Sequence, residues 1–330
     1  ANLSGTSGPG DFQRNKATGG FSVAWEPDVW GRVQAGVNAA DENLRATTED
    51  FQFARQSLAA NVALAWYLAT ELKMQVTLAE EVVGILEKTV QLVEKKKEVG
   101  QVAMQDIHLA KADLASARDG LEKARGGEQQ ARRSLEILLG RYPAGEIETA
   151  DELVPVPPPV PVGLPSELVA RRPDLVAADR RVAAAFNLTE QARLAKLPSF
   201  SLNASIGASS GLGEAIGNLG AGRVAPLYTG GALEAQLDIA TADQEAAIGA
   251  YGSALLQAFE EVETALTNEQ LLESREGYLS SAVNNNQEAF RLAQKQYDVG
   301  QTDLLSVLQM QSRWIGARVN LLNVRNQRLA

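Results

Sequence analysis

The strongest constraint on the fold of this 330-residue chain is an internal duplication. A Val-Gly-Gln turn lies between two long helical patterns at Gly100, and again 200 positions later at Gly300. The same offset runs without a gap from Gly31 to Arg125, and it aligns further identical residues, for example Leu92 with Leu292 and Arg118 with Arg318. Because internal repeats fix the architecture of a chain, we expect two copies of one structural unit.

The duplication predicts one repeated unit over residues 1–330, although this length would allow about two ordinary domains. Repeat one covers residues 1–145 and repeat two covers residues 165–330. Residues 146–164 form a Pro-rich connector with an extended, polyproline-like composition. Binding of this connector to a proline-recognition module is a second interpretation. The first residues do not resemble the start of a domain, so we expect a longer precursor.

Two long helices are predicted, near residues 29–99 and 232–297, with a helix returning from each turn. The first contains apolar residues alternately four and three apart, which is the coiled-coil pattern. This seam consists of Leu58, Val62, Ala65, Ala69, Leu72, Val76, Ala79, Val83, Leu86, Val90 and Val93. Glycine ends a helix in the left-handed conformation without steric cost, so Gly100 and Gly300 predict helical hairpins.

Three strands are predicted. Residues 21–26 and 200–209 alternate apolar and polar residues, and the second run has the length of a transmembrane strand. After a Gly-rich loop to about Gly222, a weak third strand is expected near residues 223–228. We expect Phe200, Leu202, Ala204 and Ile206 to face lipid. A half-buried strand in a soluble sheet is the alternative.

Composition argues against several kinds of chemistry. The chain has no Cys and one His, His108, so disulfides, a thiolate zinc site and a cysteine nucleophile are excluded and no metal site is expected. The net charge of −10 argues against a nucleic-acid partner. No motif combines a nucleophile, a base and an oxyanion site, so we expect no enzyme activity and no cofactor.

Six motifs resemble those of the TolC family of outer-membrane channels, and most of all its NodT-type efflux lipoprotein branch. They are residues 25–32 (Trp-Glu-Pro-Asp-Val-Trp-Gly-Arg), 138–141 (Leu-Leu-Gly-Arg), 171–175 (Arg-Arg-Pro-Asp-Leu), 197–200 (Leu-Pro-Ser-Phe), 225–231 (Ala-Pro-Leu-Tyr-Thr-Gly-Gly) and 297–300 (Tyr-Asp-Val-Gly). Together the motifs span nearly the whole chain.

The resemblance implies a mainly α fold with a small membrane β-barrel portion. Long antiparallel hairpins would form a periplasmic α-barrel tunnel, and the strands would contribute to a barrel shared by a homotrimer in the outer membrane of a Gram-negative bacterium. The family normally begins with a lipidated Cys, further helices and another strand, which are absent before Ala1. We therefore expect the N-terminal part of the family fold to be missing from this sequence.

The functional expectation is a passive exit duct of a tripartite efflux pump for small molecules or ions. Its partners would be outer-membrane lipid, a periplasmic adaptor protein and an inner-membrane transporter. A duct of a protein-secretion system and a structural coiled-coil scaffold are the alternatives.

The resemblance also assigns candidate site residues near the two turns. The adaptor-docking tips would be Val99, Gly100 and Gln101 with Val299, Gly300 and Gln301. Asp106 matches an acidic position at the family's pore constriction, where three copies would favour cations. Tyr297 matches a tyrosine that helps to hold the closed state. The second copy has Ser306 at the position of Asp106. Solvated helix-end residues are the alternative for Asp106 and Tyr297.

Overall fold

A computed structural model of the chain describes residues 18–158, 171–209 and 215–330. Five helices and three strands lie within these ranges. They are, in chain order, β1 (Thr18–Trp25), α1 (Arg32–Glu98), α2 (Met104–Leu138), α3 (Pro173–Leu194), β2 (Ser199–Ser209), β3 (Ala215–Val224), α4 (Ala232–Asp298) and α5 (Leu304–Leu329). The predicted N-terminal loop up to residue 17 and residues 159–164 of the connector lie outside the described residues.

The two longest helices begin and end at equivalent positions of the duplication. Helices α1 and α4 have 67 residues each, and the bounds of α4 are those of α1 moved by 200 positions. At about 1.5 Å per residue, each helix is about 100 Å long. The long helices predicted from the sequence are therefore confirmed. None of the helices in the described ranges is long and apolar enough to cross a bilayer.

The three strands form one antiparallel sheet in the order β1-β2-β3. Residues that lie directly opposite each other in such a sheet share a face. Phe21 pairs with Ile206 and Trp25 pairs with Leu202, while Ala204 lies between Val23 and Leu219 on the neighbouring strands. The register therefore places Phe21, Val23, Trp25, Leu202, Ile206 and Leu219 on one face.

The prediction for the third strand was wrong. Strand β3 covers Ala215–Val224, whereas the sequence predicted a loop to about Gly222 and a strand near residues 223–228. Glycines disfavour an isolated strand. Here Gly217, Gly220 and Gly222 pair with β2 through their backbones, and this pairing outweighs their low intrinsic propensity. A Cβ on Gly222 would lie 2.8 Å from the Ser201 hydroxyl oxygen, so a larger residue here would require the Ser201 side chain to move.

The chain divides into two compact units, and each draws on both sequence copies. The first unit comprises Ala1–Phe53 and Leu164–Ala258, and it contains the sheet, α3 and the N-terminal parts of α1 and α4. Within it, Arg180 pairs with Glu42 at 3.3 Å, and the Thr189 hydroxyl donates to the Ala240 carbonyl at 2.9 Å. These contacts attach α3 to both long helices.

The second unit comprises Ala54–Gly163 and Phe259–Ala330. Its core is a cluster of buried apolar side chains from four helices, including Val93, Ile107, Phe290, Leu304 and Trp314. The seam predicted on α1 is buried here at Ala69, Val76, Leu86, Val90 and Val93. Leu58, at the start of that seam, is exposed in the single chain. The heptad pattern therefore identified the core-facing side of α1 within this unit.

The start of the connector is held by one buried carboxylate. After the turn at Gly140, Glu136 accepts backbone hydrogen bonds from Gly145 at 2.6 Å, Glu146 at 2.8 Å and Ile147 at 3.0 Å. These hydrogen bonds, that of Gly145 foremost, hold the pKa of Glu136 below its usual range. The chain therefore leaves α2 along a fixed path.

Candidate functional site at the hairpin tips

The two predicted docking tips are built by the same hydrogen-bonded turn. Gly100 has φ +73° and Gly300 has φ +75°, both in the left-handed region that favours glycine. In each copy the glycine N–H donates to the carbonyl three residues back and the next N–H to the carbonyl five residues back, over 2.8–3.1 Å. This is the Schellman arrangement, which satisfies carbonyls that a helix end leaves unpaired.

The residues around both glycines are open to solvent in the single chain. Val99 is 68% exposed and Val299 is 70% exposed, and Gln101 and Gln301 are also exposed. No atom lies within 4 Å of a Cβ built on Gly100 or Gly300. Backbone conformation alone therefore requires glycine there, and each tip presents an apolar side chain beside a polar one.

The predicted constriction residue Asp106 caps its own helix. It is the third residue of α2, and its carboxylate accepts a hydrogen bond from the Ala103 N–H at 3.2 Å. In the second copy Asp303 precedes α5, and its carboxylate accepts from the Ser306 N–H at 2.7 Å. Each copy therefore contains one half of the reciprocal capping box, with the carboxylate at opposite ends of the first turn.

Tyr297, the other predicted constriction residue, is buried near the tip of the second hairpin. It is only 5% exposed, and its hydroxyl has no hydrogen-bond partner among the described residues. Burial raises the pKa of Tyr297, and the negative charges of Asp106 and Asp298 raise it further. The structure therefore places Asp106 close enough to influence Tyr297, while the hydrogen bond of Asp106 goes to Ala103.

Sequence reasoning missed Lys96 and Asp303. The Lys96 ammonium donates to the Tyr297 carbonyl at 2.6 Å and lies 4.0 Å from the centre of its ring. The signal was present in the comparison of the two copies, because Gln296 stands at the position equivalent to Lys96 and Ala103 at that of Asp303. Both residues therefore stand at positions where the two copies differ.

A second candidate region is the sheet. Its apolar face is exposed in the single chain, and Leu219 reaches 86% exposure. The alternation of apolar and polar residues predicted for residues 200–206 extends to the neighbouring strand. Ser201 and Asn203 pair with Gly222 and Gly220 on the face opposite the apolar one. One face of the sheet is therefore mainly apolar, with Arg223 at its edge opposite Phe200, and the other carries mostly small and polar residues.

The first and fourth family motifs meet where the strands join the helices. The Trp30 indole N–H donates to the Pro198 carbonyl at 2.7 Å, and Arg32 pairs with Glu26 at 2.8 Å. Asp28 caps α1 by accepting from the Val33 and Gln34 N–H groups at 3.1 and 2.7 Å. These residues fix the path from β1 into α1. Across the described residues, no group of three His, Cys, Asp or Glu side chains is placed to hold a metal ion.

Comparison with known proteins decides the family. The model of the family described as "Outer membrane efflux protein" matches residues 3–141 and 164–330. The chain belongs to this family. Family membership confirms the resemblance seen in the motifs and the outer-membrane location expected from it. The family is one of efflux channels and is not an enzyme family.

Two curated relatives are named as pyoverdine export outer membrane proteins, OpmQ. The chain is 30% identical to OpmQ of Pseudomonas aeruginosa over 339 residues, which cover 99% of the chain and 71% of that protein. It is also 30% identical to OpmQ of Pseudomonas putida over 300 residues, which cover 88% of the chain. The chain spans 63% of the length of this second relative.

A solved structure shows the same fold. A membrane protein from Pseudomonas aeruginosa superposes with a TM-score of 0.88 at 27% identity, over 96% of this chain and 81% of that one. The outer membrane channel MtrE of Neisseria gonorrhoeae superposes with a TM-score of 0.83 at 26% identity, over 96% of this chain and 78% of that one. The mainly α architecture with few strands is therefore that of an outer-membrane channel, as the sequence predicted.

Proposed function

We propose that the protein is the passive outer-membrane exit duct of a tripartite efflux pump and carries small molecules or ions out of the periplasm. The observation that carries the proposal is the exposed apolar face of the sheet, in a chain that belongs to the efflux family. A soluble protein rarely leaves such a face open, so lipid is its natural partner. The duct performs no chemistry of its own.

The functional unit is a homotrimer. In the described sheet, β1 and β3 each have one edge without a paired strand. Lipid tolerates no open strand edge, because an unpaired backbone group in the bilayer costs several kcal/mol. Segments outside the described sheet, above all those of further copies of the chain, therefore have to supply the neighbouring strands of one shared β-barrel. The polar face, with Ser201, Asn203 and Ser205, then lines the lumen.

The two tips are the docking end for a periplasmic adaptor, which connects the duct to an inner-membrane transporter. Support comes from the equal turns at Gly100 and Gly300 and from the exposed valines beside them. Three chains would place six similar tips around one ring. Asp106 and Tyr297 lie next to the tips and form the constriction, with three copies of Asp106 favouring cations.

The two alternatives have less support. A coiled-coil scaffold does not need a sheet with one apolar, exposed face. A protein-secretion duct shares the fold, but the relatives compared above are named for the export of pyoverdine.

The test exchanges one residue on each face of β2. Leu202→Arg places a charge on the lipid-facing side and should cost about 2–4 kcal/mol near the middle of the bilayer. Asn203→Arg places the same charge in the lumen and should be tolerated. The readout is the mass of the full-length protein extracted from outer membranes in mild detergent. The wild type and Asn203→Arg should form trimers, and Leu202→Arg should give few. Equal trimer yields from both variants, or a monomeric wild type, would overturn the proposal.

A further inference from the structure

The three strands of the sheet carry one charged side chain between them, that of Arg223. Arg223 lies opposite Phe200 in the register of β2 with β3, so it shares the face of Leu202 and Ile206. Its side chain is exposed and has no hydrogen-bond or ion-pair partner among the described residues. The apolar face of the sheet therefore carries a single, unpaired positive charge.

This charge lies at the end of the sheet from which the helices continue. Strand β3 ends at Val224, β1 ends at Trp25 and β2 begins at Ser199, directly after α3. Under the proposed function the helices extend into the periplasm, so this end of the sheet is the periplasmic edge of the barrel. A lipid-facing arginine is strongly destabilising at the bilayer midplane and is tolerated near the interface. Arg223 therefore lies at the level of the lipid headgroups.

Trp25 indicates the same level independently. It pairs with Leu202 on the apolar face, one step along β2 from Phe200, and it is 62% exposed. Tryptophan is enriched where a membrane protein passes from the hydrocarbon core to the headgroup layer. An aromatic ring and a guanidinium therefore lie on one face at the same edge of the sheet, where a lipid has its phosphate.

Farther along the same face lies an open groove of about 500 Å³. Phe21, Ile206 and Leu219 line it. Ala204 and Gly217 leave the space between these larger side chains, because one side chain is a methyl group and the other is absent. The groove is apolar and elongated along the strands, which suits a hydrocarbon chain.

The groove lies at the depth of acyl chains. Leu219 and Gly217 are four and six residues from Arg223 on β3, which corresponds to about 13 and 20 Å at about 3.3 Å per residue. One leaflet of the hydrocarbon core is about 15 Å thick, because the whole core measures about 30 Å. A single lipid with its phosphate at Arg223 therefore reaches the groove with an acyl chain.

We propose that the apolar face of the sheet binds one glycerophospholipid per chain, with the phosphate on Arg223 and one acyl chain in the groove. This inference rests on the proposed function, because it requires the sheet to lie in the bilayer. The guanidinium donates two parallel hydrogen bonds to phosphate oxygens, and the groove buries CH₂ groups of the chain. The lipid supplies the anion that the described residues do not offer Arg223.

The first test measures the lipid that stays bound to the full-length trimer in native mass spectrometry. The probes are phosphatidylglycerol, phosphatidylethanolamine and a diacylglycerol with the same acyl chains. The wild type should retain either phospholipid and little diacylglycerol. Arg223→Gln should weaken phospholipid binding about tenfold, because it removes a charge-assisted hydrogen-bond donor. Arg223→Lys, which keeps the charge without the paired donors, should lose less.

The matched control is Arg313→Gln. Arg313 is an exposed residue of α5, far along the chain from the sheet, and its replacement changes the net charge by the same amount. Phospholipid binding by this variant should equal that of the wild type. An equal loss in Arg313→Gln and Arg223→Gln would show that only net charge matters, and it would overturn the site.

Gly217→Leu tests the groove separately. A Cβ on Gly217 meets only the Ser205 carbonyl oxygen, at 4.0 Å, so the strand accepts a side chain there. Leucine fills the groove and keeps the face apolar, so trimers should still form. Phospholipid binding should fall about tenfold, because the acyl chain loses its buried contacts. Binding equal to that of the wild type would contradict the assignment of the chain to the groove.

The measurements separate failure of the lipid site from failure of the proposed function. Trimers of Arg223→Gln that retain as much phospholipid as the wild type would overturn the site and leave the duct intact. Equal retention of diacylglycerol and phospholipid by the wild type would do the same, because the phosphate would not be recognised. A wild type that stays monomeric contradicts the proposed function, and the dependence of lipid retention on Arg223 still decides the site.

Discussion

The two helical hairpins have the same backbone turn but use equivalent side chains differently. In the first hairpin, three ion pairs join α2 to α1 at seven-residue intervals. They are Lys111 with Glu94 at 2.8 Å, Arg118 with Glu87 at 2.8 Å and Arg125 with Glu80 at 2.9 Å. In the second copy, Arg318 pairs with Glu81 of α1, and Arg325 pairs with Glu276 of α4. The three ion pairs between α2 and α1 therefore stay within the first hairpin, whereas Arg318 of α5 reaches across to the first hairpin.

The buried side chains of the two hairpins also differ. Trp314 is buried on α5 and stacks on Phe290 of α4, with ring centres 5.6 Å apart. The equivalent residue of the first copy is Leu114, which is only half-buried. The stacked, buried rings stabilise the second hairpin. The first hairpin instead carries ion pairs on its exposed surface, and each of these stabilises it only weakly. A duplicated chain can therefore keep the same backbone turns in both copies while the side chains of each copy differ to suit the helices that they pack against.

The largest expected effect concerns this aromatic pair. Trp314→Ala should lower the free energy of unfolding by about 3–5 kcal/mol, because it removes a large buried side chain and its stacking on Phe290. Leu114→Ala should cost less, because Leu114 is already half in water. Thermal unfolding followed by circular dichroism measures both. Trp314→Phe is the control, since it keeps a ring and removes an indole N–H that has no described partner. Equal losses in the two alanine variants would contradict the difference between the hairpins.

The turns should instead respond alike. Gly100→Val and Gly300→Val each force a β-branched residue to a positive φ, which costs of the order of 1–3 kcal/mol. Both variants should still form trimers and both should lose adaptor binding, measured by co-purification of the pump. Gly120→Val is a control, because Gly120 lies inside α2 with open space around it. A loss confined to one tip would show that the two turns are not equivalent docking sites.

The smallest effects separate the two caps. Asp106→Ala and Asp303→Ala each remove one hydrogen bond at a helix start, so both should destabilise their helix slightly. The hydrogen bond from Ser306 holds the pKa of Asp303 below its usual range. The Asp303 cap therefore contributes fully above the ordinary carboxyl pKa and is lost as the pH falls through the lowered value.

Ion selectivity distinguishes Asp106 from Asp303. Three copies of Asp106 should line the constriction, so Asp106→Ala should reduce the preference for cations, seen as a smaller reversal potential under a salt gradient. Asp303→Ala should leave the reversal potential unchanged. If the Asp106→Ala trimer still inserts and its ion selectivity is unchanged, Asp106 acts only as a helix cap.

Most of the helical fold could be predicted from the sequence because its signals are local. The heptad seam, the two glycines and the prolines set the lengths of α1 and α4 to within a few residues. The third strand could not be predicted in this way. Its glycines carry no strand signal, and only pairing with β2 makes residues 215–224 extended. The docking tips stay a prediction that rests on the motifs.

The sequence by itself determined the duplication, the hairpin turns and the apolar alternation of β2, because each depends on residues close together along the chain. Only the tertiary structure decided that Lys96 reaches Tyr297, that Arg318 crosses to Glu81 and that Trp314 stacks on Phe290. These contacts join residues between 24 and 237 positions apart. Their partners are chosen by how the helices pack, and no periodic pattern records which equivalent side chain will face which neighbour.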